Sequence, residues 1–528
     1  MLKNIIKKDY FSVGAPMTRK SFISGAIILM LAGFVVRILG FVYRIYLSNL
    51  IGAEGIGLFQ MIFPVYSLVI LTLTSGMSIT VSRMVAEELA RNHFVNLRRI
   101  TSCAFAIVVG VGLITSLFIF LNIDFVAGTI LRDRRTYYSL MLLIPCIPVI
   151  AAASALKGYF YGVQEVVPTA LSQIVEQVVR ISLVMAMAAY FLNSGLEYAC
   201  ALATIGMAIG EISNLMVLLI IYKLKEKKSL RLKPKTGLMR KRRIIKELVV
   251  QSIPISFNRF ITSAMSAIEY ILIPARLIAG GLDSQQSMEE YGRLTGMVMP
   301  LLFFPSLVTS SLSTTLVPAI SEAMSIKNFR SVNYRISKSI QITFILGFIF
   351  TAVFLSYPDE IGNLLYRKER IGSMLYMMSF ACVFIYLQQT LIGVLNGLGK
   401  QGVSLKNAII GNSVRIGFVY FFIPVYGVKG YVWGLITSMA CVCVLNLFTV
   451  VKITGMVIDV RNWIVKPGVV GVVLYVTGRY VYSFFSIFTQ QNHMNAILAI
   501  AGDILVGVAL MVATGILDKG ELIRLFKG

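Results

Sequence analysis

Arginines set inside apolar runs are the first chemistry this sequence offers. In the run Ser21–Leu50, Arg37 and Arg44 are seven apart, and each follows a glycine, Gly33 or Gly40, by four, so the four share one helical stripe. An arginine at mid-membrane costs roughly 2.5–3.5 kcal/mol, so it normally faces a bundle interior or a wet cavity. Arg44, nearer the end of its run, has the alternative of snorkelling to an interface; Arg37, central in it, does not. A second apolar run carries Ser252, Ser256, Arg259, Ser263, Ser266 and Tyr270 at intervals of three and four, again one face of a helix. Arg293 opens a third. Guanidinium forks match phosphate and carboxylate oxygens and keep their charge at any physiological pH. Arg37, Arg44, Arg259 and Arg293 are therefore candidate ligands for an anion carrying phosphate. Ser75, Ser78, Ser263, Ser266, Ser310 and Ser313 are candidate polar lining. For any single serine, close helix packing is the competing reading.

Glu176 and Arg180 are spaced i, i+4 with the acid first, the arrangement of a self-neutralising pair or of a coupling site. Arg415 is the repeat counterpart of Arg180 but has Gly411 where the acid would stand, so its own helix supplies no neutraliser. Two histidines, His93 and His493, and six cysteines within or beside apolar segments give no metal site and no disulfide framework. No phosphate-binding loop, dinucleotide fingerprint or nucleophile elbow occurs, so no cofactor and no enzymatic activity are expected.

The elements that carry these residues are membrane helices. Of 528 residues, 57% are hydrophobic and only 14% charged, which points to an all-α, polytopic membrane protein. Apolar stretches near 20 residues predict fourteen spans. The net charge of +25 collects in alternate loops: Arg91, Arg98 and Arg99; twelve Lys or Arg between Lys223 and Lys246; Lys327, Arg330, Arg335 and Lys338. That is the positive-inside pattern rather than a nucleic-acid surface, and it sets both termini in the cytoplasm. The first apolar run is too long for a signal-peptide core and is expected to stay uncleaved.

A shift of 235 superposes Ser75, Ser78 and Thr80 on Ser310, Ser313 and Thr315, and Asp124, Arg132 and Arg135 on Asp359, Arg367 and Arg370. It also superposes Gly158, Gly162 and Arg180 on Gly393, Gly397 and Arg415. Six spans per half make this a parallel repeat related by a pseudo-twofold along the membrane normal. The expected organisation is a cytoplasmic segment 1–20, an N-lobe 21–223, a basic linker 224–247, a C-lobe 248–453, and two appended helices with a tail, 454–528. The polar stripes are expected to line one cavity between the lobes. Arg132, Arg134 and Arg135, and again Arg367, Lys368 and Arg370, place base in outer loops, suited to anionic headgroups or glycans.

Val36-Arg37-Ile38-Leu39-Gly40-Phe41 and Ile51-Gly52-Ala53-Glu54-Gly55-Ile56-Gly57-Leu58-Phe59-Gln60 resemble the stage V sporulation protein B family of polysaccharide exporters, within the multidrug/oligosaccharidyl-lipid/polysaccharide flippase superfamily. Lys157-Gly158-Tyr159-Phe160-Tyr161-Gly162 and Leu316-Val317-Pro318-Ala319-Ile320-Ser321 extend the likeness. The resemblance implies a fourteen-helix, alternating-access flippase in a bacterial cytoplasmic membrane. Its implied cargo is an undecaprenyl-pyrophosphate-linked oligosaccharide such as lipid II, for spore-cortex peptidoglycan, and membrane lipids and cell-wall synthesis proteins are its implied partners. Arg37 and, in Tyr291-Gly292-Arg293-Leu294, Arg293 match cavity arginines of related lipid II flippases; Tyr43 and the apolar residues near Leu68 stand where that pattern has two more. The alternatives are a multidrug exporter coupled through Glu176, Glu211, Glu269 or Asp503, a membrane glycosyltransferase, and a non-transporting cell-wall scaffold. An arginine-rich cavity disfavours the first, and the absence of a D-x-D pair the second.

Overall fold

A computed structural model describes residues 19–192, 195–229, 238–488 and 492–513, and among these it contains helices and no strand. The N-terminal basic segment, the middle of the basic linker and the C-terminal tail lie outside the described residues. The helices are α1 (Arg19–Ala90), α2 (Phe94–Leu121), α3 (Arg134–Leu143), α4 (Cys146–Gly162), α5 (Val167–Leu192), α6 (Leu196–Ser229), α7 (Lys241–Ala279), α8 (Ser284–Phe303) and α9 (Ser306–Ser325). They continue with α10 (Phe329–Ser356), α11 (Pro358–Leu365), α12 (Gly372–Ser379), α13 (Cys382–Gly397), α14 (Gln401–Tyr426), α15 (Val428–Thr454), α16 (Lys466–Phe488) and α17 (Asn492–Ala513).

Among the described residues, ten helical stretches are long and apolar enough to cross a membrane, and three bent pairs, each taken as one span, bring the number to thirteen. α1 holds two such lengths, because Gly52 interrupts it at φ 71°, ψ −178°, a region open in practice only to glycine. The sequence reading expected fourteen spans. Leu113, Ile114, Leu117, Phe118 and Leu121 of α2 stand exposed, as lipid-facing side chains do.

Three of the spans are bent pairs. α3 and α4 meet at 42° across Ile144-Pro145, α8 and α9 at 57° across Phe304-Pro305, and α12 and α13 at 51° across Phe380-Ala381. Proline removes an N–H and clashes with the preceding turn, which accounts for the first two. The third has no proline, yet it is the repeat counterpart of the first. A carbonyl freed at each bend is taken up in the same way: Ser116 Oγ donates to the Ile144 carbonyl at 2.9 Å, and Thr351 Oγ1 to the Ser379 carbonyl at 3.2 Å. Those donors and acceptors are both related by the shift of 235.

Two compact units are resolved by their internal packing. The first is Met1–Tyr43 with Met61–Ala267, and the second is Arg44–Gln60 with Ile268–Gly528. In the first, Val81, Val85, Ile100, Ala104, Ala155, Phe160 and Leu248 belong to one buried core. Both ends of the basic linker are tied down there. Near its start, Lys225 pairs with Glu165 and Arg98 with Glu226. At its end, the Met239 N–H donates to Asn96 Oδ1 at 3.1 Å, and Arg99 donates to the Met239 carbonyl at 3.0 Å. The second unit has its own core around Ile320, Ile336, Leu391, Val394 and Trp463.

The repeat extends to packing. A Cβ at Gly158 would fall 2.7 Å from the Ser78 carbonyl oxygen, and one at Gly393 would fall 2.7 Å from Ser313 Cα and from its carbonyl oxygen. One turn on, Gly162 meets Ser82 and Val85, and Gly397 meets Val317 and Ile320, again counterparts at 235. Small residues let these backbones touch, which is how helices gain dispersion contact in lipid.

Candidate functional site

The candidate residues separate into polar groups that the protein satisfies itself and cations that it leaves exposed. In the first unit, Arg37 on α1 and Arg259 on α7 are both exposed. Arg259 has no carboxylate partner among the described residues. The stripe around it behaves differently. Ser252 is buried, and a Cβ at Gly76 would fall 2.5 Å from Ser256 Oγ, so these serines seat α7 against α1. Ser263 is buried and Ser266 half-buried. Ser75 and Ser78 are half-buried, Ser78 in the Gly158 contact. Arg259 is thus the charged member of a stripe whose serines pack.

Glu176 and Arg180 form the pair their spacing predicts, at 2.6 Å, with both side chains 13% exposed. Asn214 of α6 donates to Glu176 Oε2 at 2.9 Å and lies 3.5 Å from Glu211 Oε2. The pair is therefore part of a four-residue polar network across α5 and α6. In the second unit Arg415, whose own helix supplies no acid at Gly411, is neutralised from another helix. Glu269 of α7 lies 2.6 Å from it with the carboxylate side chain 1% exposed, and the Tyr431 hydroxyl reaches Glu269 Oε1 at 3.4 Å. The acid has moved from the arginine's own helix to a neighbour, and at Gly411 a side chain would collide with Val442.

Arg293, expected as an anion ligand, is surrounded by carboxylates. Its guanidinium is enclosed by three of the protein's own carboxylates: Glu369 at 2.9 Å, Glu290 at 3.0 Å and Glu289 at 3.3 Å. Its charge is balanced within the protein. Glu369 also accepts from the Ala53 N–H at 2.9 Å, directly after the Gly52 break. On the other side of the break, Asn49 Nδ2 donates to the Leu365 carbonyl at 2.6 Å, and its Oδ1 accepts from the Arg367 N–H at 3.1 Å. Gly292 packs on the Ala53 carbonyl and Gly57 on Met288. The two motifs Ile51–Gln60 and Tyr291–Leu294 therefore lock onto each other, and Arg293 is the tie of that joint.

Arg44 is half-buried near Tyr270 and Tyr366, with no carboxylate partner among the described residues. Ser310 is half-buried and donates to the Leu307 carbonyl at 3.0 Å, while Ser313 packs under Gly393. Exposed hydroxyls of α9 include instead Ser311, Thr314 and Thr315, which the sequence reading did not favour as lining. In the two repeated basic loops, Arg132, Arg134, Arg367, Lys368 and Arg370 are exposed; Arg135 is held by Asp133 at 2.8 Å. No cluster that would hold a metal ion occurs among the described residues, and the six cysteines are free.

The family profile described as polysaccharide biosynthesis protein matches residues 22–324, and one described as MatE matches 291–421. Stage V sporulation protein B of Bacillus subtilis (strain 168) is 32% identical over 512 residues, covering 96% of this chain and 98% of the relative. Lipid II flippase MurJ of the same organism is 25% identical over 422 residues, covering 74% and 75%. Among solved structures, lipid II flippase MurJ in an inward closed conformation aligns with a TM-score of 0.69 at 16% identity, over 93% of this chain and all of that one. An inward-facing multidrug resistance MATE family transporter of the MOP superfamily aligns at 0.63 and 14% identity, over 81% and 98%. The fold is that of these transporters, and this multi-pass membrane protein, homologous to stage V sporulation protein B, belongs to the polysaccharide biosynthesis protein family.

Proposed function

We propose that the chain is a flippase that moves an undecaprenyl-pyrophosphate-linked oligosaccharide across the bacterial cytoplasmic membrane by alternating access, with both termini in the cytoplasm and no bond made or broken. Lipid II for the spore cortex is the cargo we favour, because the relatives include a sporulation protein and a lipid II flippase. The observation that carries the reading is Arg259 on α7, an exposed guanidinium with no carboxylate partner among the described residues, in the same compact unit as Arg37 on α1. Those two arginines take the pyrophosphate by charge-assisted hydrogen bonds while the polyprenyl chain remains in lipid. Arg44 is a further ligand candidate, whereas Arg293 serves the joint.

The MatE match and the MATE-like fold favour a second reading, export of amphipathic organic cations. It suits exposed arginines badly, since like charges repel. The discriminating experiment is translocation by the purified chain in liposomes, comparing lipid II, undecaprenyl phosphate and an uncharged glycolipid with a cationic dye. Selective movement of the pyrophosphate lipid supports the flippase. Movement of the dye alone supports the exporter, and movement of none with lipid II still bound supports a scaffold.

A further inference from the structure

Asp503 lies within α17 with 1% of its surface exposed. An ionisable residue inside a membrane helix is costly and is by default a candidate for function. Its Oδ2 is 2.7 Å from the Tyr357 hydroxyl, and the same hydroxyl is 2.8 Å from the Gly478 carbonyl oxygen. Its Oδ1 is buried without a partner, as is Ser356 Oγ. A Cβ at Gly478 would fall 2.8 Å from Ser356 Oγ and 2.9 Å from Asp503 Oδ2, so only glycine lets α16 close on this point. Three separate stretches of chain thus build one small polar site.

The hydrogens do not suffice if Asp503 is ionised. A phenol has a single O–H to donate, yet the Tyr357 oxygen sits at hydrogen-bond distance from two acceptors. One of the two contacts would then be oxygen against oxygen with nothing between. A protonated carboxyl removes the conflict: Asp503 donates to Tyr357, and Tyr357 donates to Gly478. The electrostatics agree. Tyr357 and Tyr482, whose rings are 6.3 Å apart, are the titratable groups on this side, Glu360 of α11 acts on Tyr357, and Arg479 beside Gly478 is exposed. No cation is paired with Asp503 among the described residues.

We propose that Asp503 is a proton-binding site of the two C-terminal helices, loaded when Tyr357, Gly478 and Asp503 are in contact and emptied when they part. On loading, the carboxylate takes a proton from water and passes a hydrogen bond through Tyr357 to Gly478. On release, the proton returns to water, the Tyr357 hydrogen turns to the carboxylate, and the Gly478 carbonyl loses its donor. No other reactant is needed.

The test is infrared difference spectroscopy of the full-length chain in lipid nanodiscs, titrated from acid to alkaline pH, with Asp503→Asn and Tyr357→Phe alongside. The expected result is a carbonyl stretch of a protonated carboxyl at neutral pH that is missing in Asp503→Asn, shifts in Tyr357→Phe, and disappears reversibly on alkalinisation. If no such band is lost in Asp503→Asn, the residue is ionised and the proposal falls. A band that persists at every pH makes the acid a fixed structural group and equally overturns it. Should Asp503→Asn fail to fold, the shift in Tyr357→Phe still identifies the band, and no shift refutes the site. The readout needs no transport substrate, so it stands or falls separately from the cargo.

Discussion

Three carboxylates surround Arg293 and, among the described residues, none pairs with Arg259, so the roles we propose for these two similar arginines are opposite. In sequence both are cations in apolar helices. Of those three, Glu289 and Glu290 stand four and three residues before Arg293 and are legible by spacing, whereas Glu369, 76 residues beyond it, is invisible to any spacing rule. Arg415 hides its partner in the same way, whereas Glu176–Arg180 was legible because both ends lie on one helical face. Replacing Arg259 with Ala is expected to weaken binding of a pyrophosphate lipid roughly 10- to 100-fold, the worth of a charge-assisted hydrogen bond or two, without lowering thermal stability. Titration by intrinsic fluorescence together with a melting curve checks both halves. For Arg415→Ala the order reverses: Glu269 is left buried without its counter-charge, at a cost of roughly 3–5 kcal/mol. The double change Arg415→Met with Glu269→Met should recover most of that loss, and a double-mutant cycle on thermal unfolding in detergent reads it.

At the scale of elements, the joint at Gly52 rests on backbone geometry and on side chains far apart in sequence. Gly52→Ala is expected to cost roughly 1–3 kcal/mol, because φ 71° with ψ −178° excludes a Cβ. Gly33→Ala, with open space around it, is the matched control and should leave the melting temperature unchanged. Helix packing gives a parallel expectation. Gly158→Val and Gly393→Val should each destabilise by roughly 1–3 kcal/mol through the same clash in the two repeats, and unequal effects would argue against equivalent packing. The helices themselves were readable, since length and apolar composition dictate spans. The repeat was readable at 235 because glycine and serine recur where helices touch. The bends were not: one has no proline, and the serine and threonine that satisfy the freed carbonyls lie 28 residues away. The serine stripes read as cavity lining for the same reason, as spacing identifies a face but not what the face meets.

For the whole molecule, in the orientation we propose, with the basic loops of this +25 chain in the cytoplasm, an inside-negative potential assists an outward-moving anion. Each elementary charge crossing is worth roughly 2.3 kcal/mol per 100 mV. Collapsing the potential with a potassium ionophore should therefore slow flipping of a pyrophosphate lipid and leave that of an uncharged glycolipid unchanged. Equal rates with and without potential would mean that the headgroup crosses with its charge compensated. The most direct test of the central assignment is lipid II binding to the purified chain, with melting measured on the same samples, for wild type, Arg259→Ala and Arg293→Ala. The account predicts that Arg259→Ala loses affinity at unchanged melting temperature and that Arg293→Ala loses stability first. It is contradicted if Arg259→Ala binds as wild type while Arg293→Ala loses binding with its stability intact.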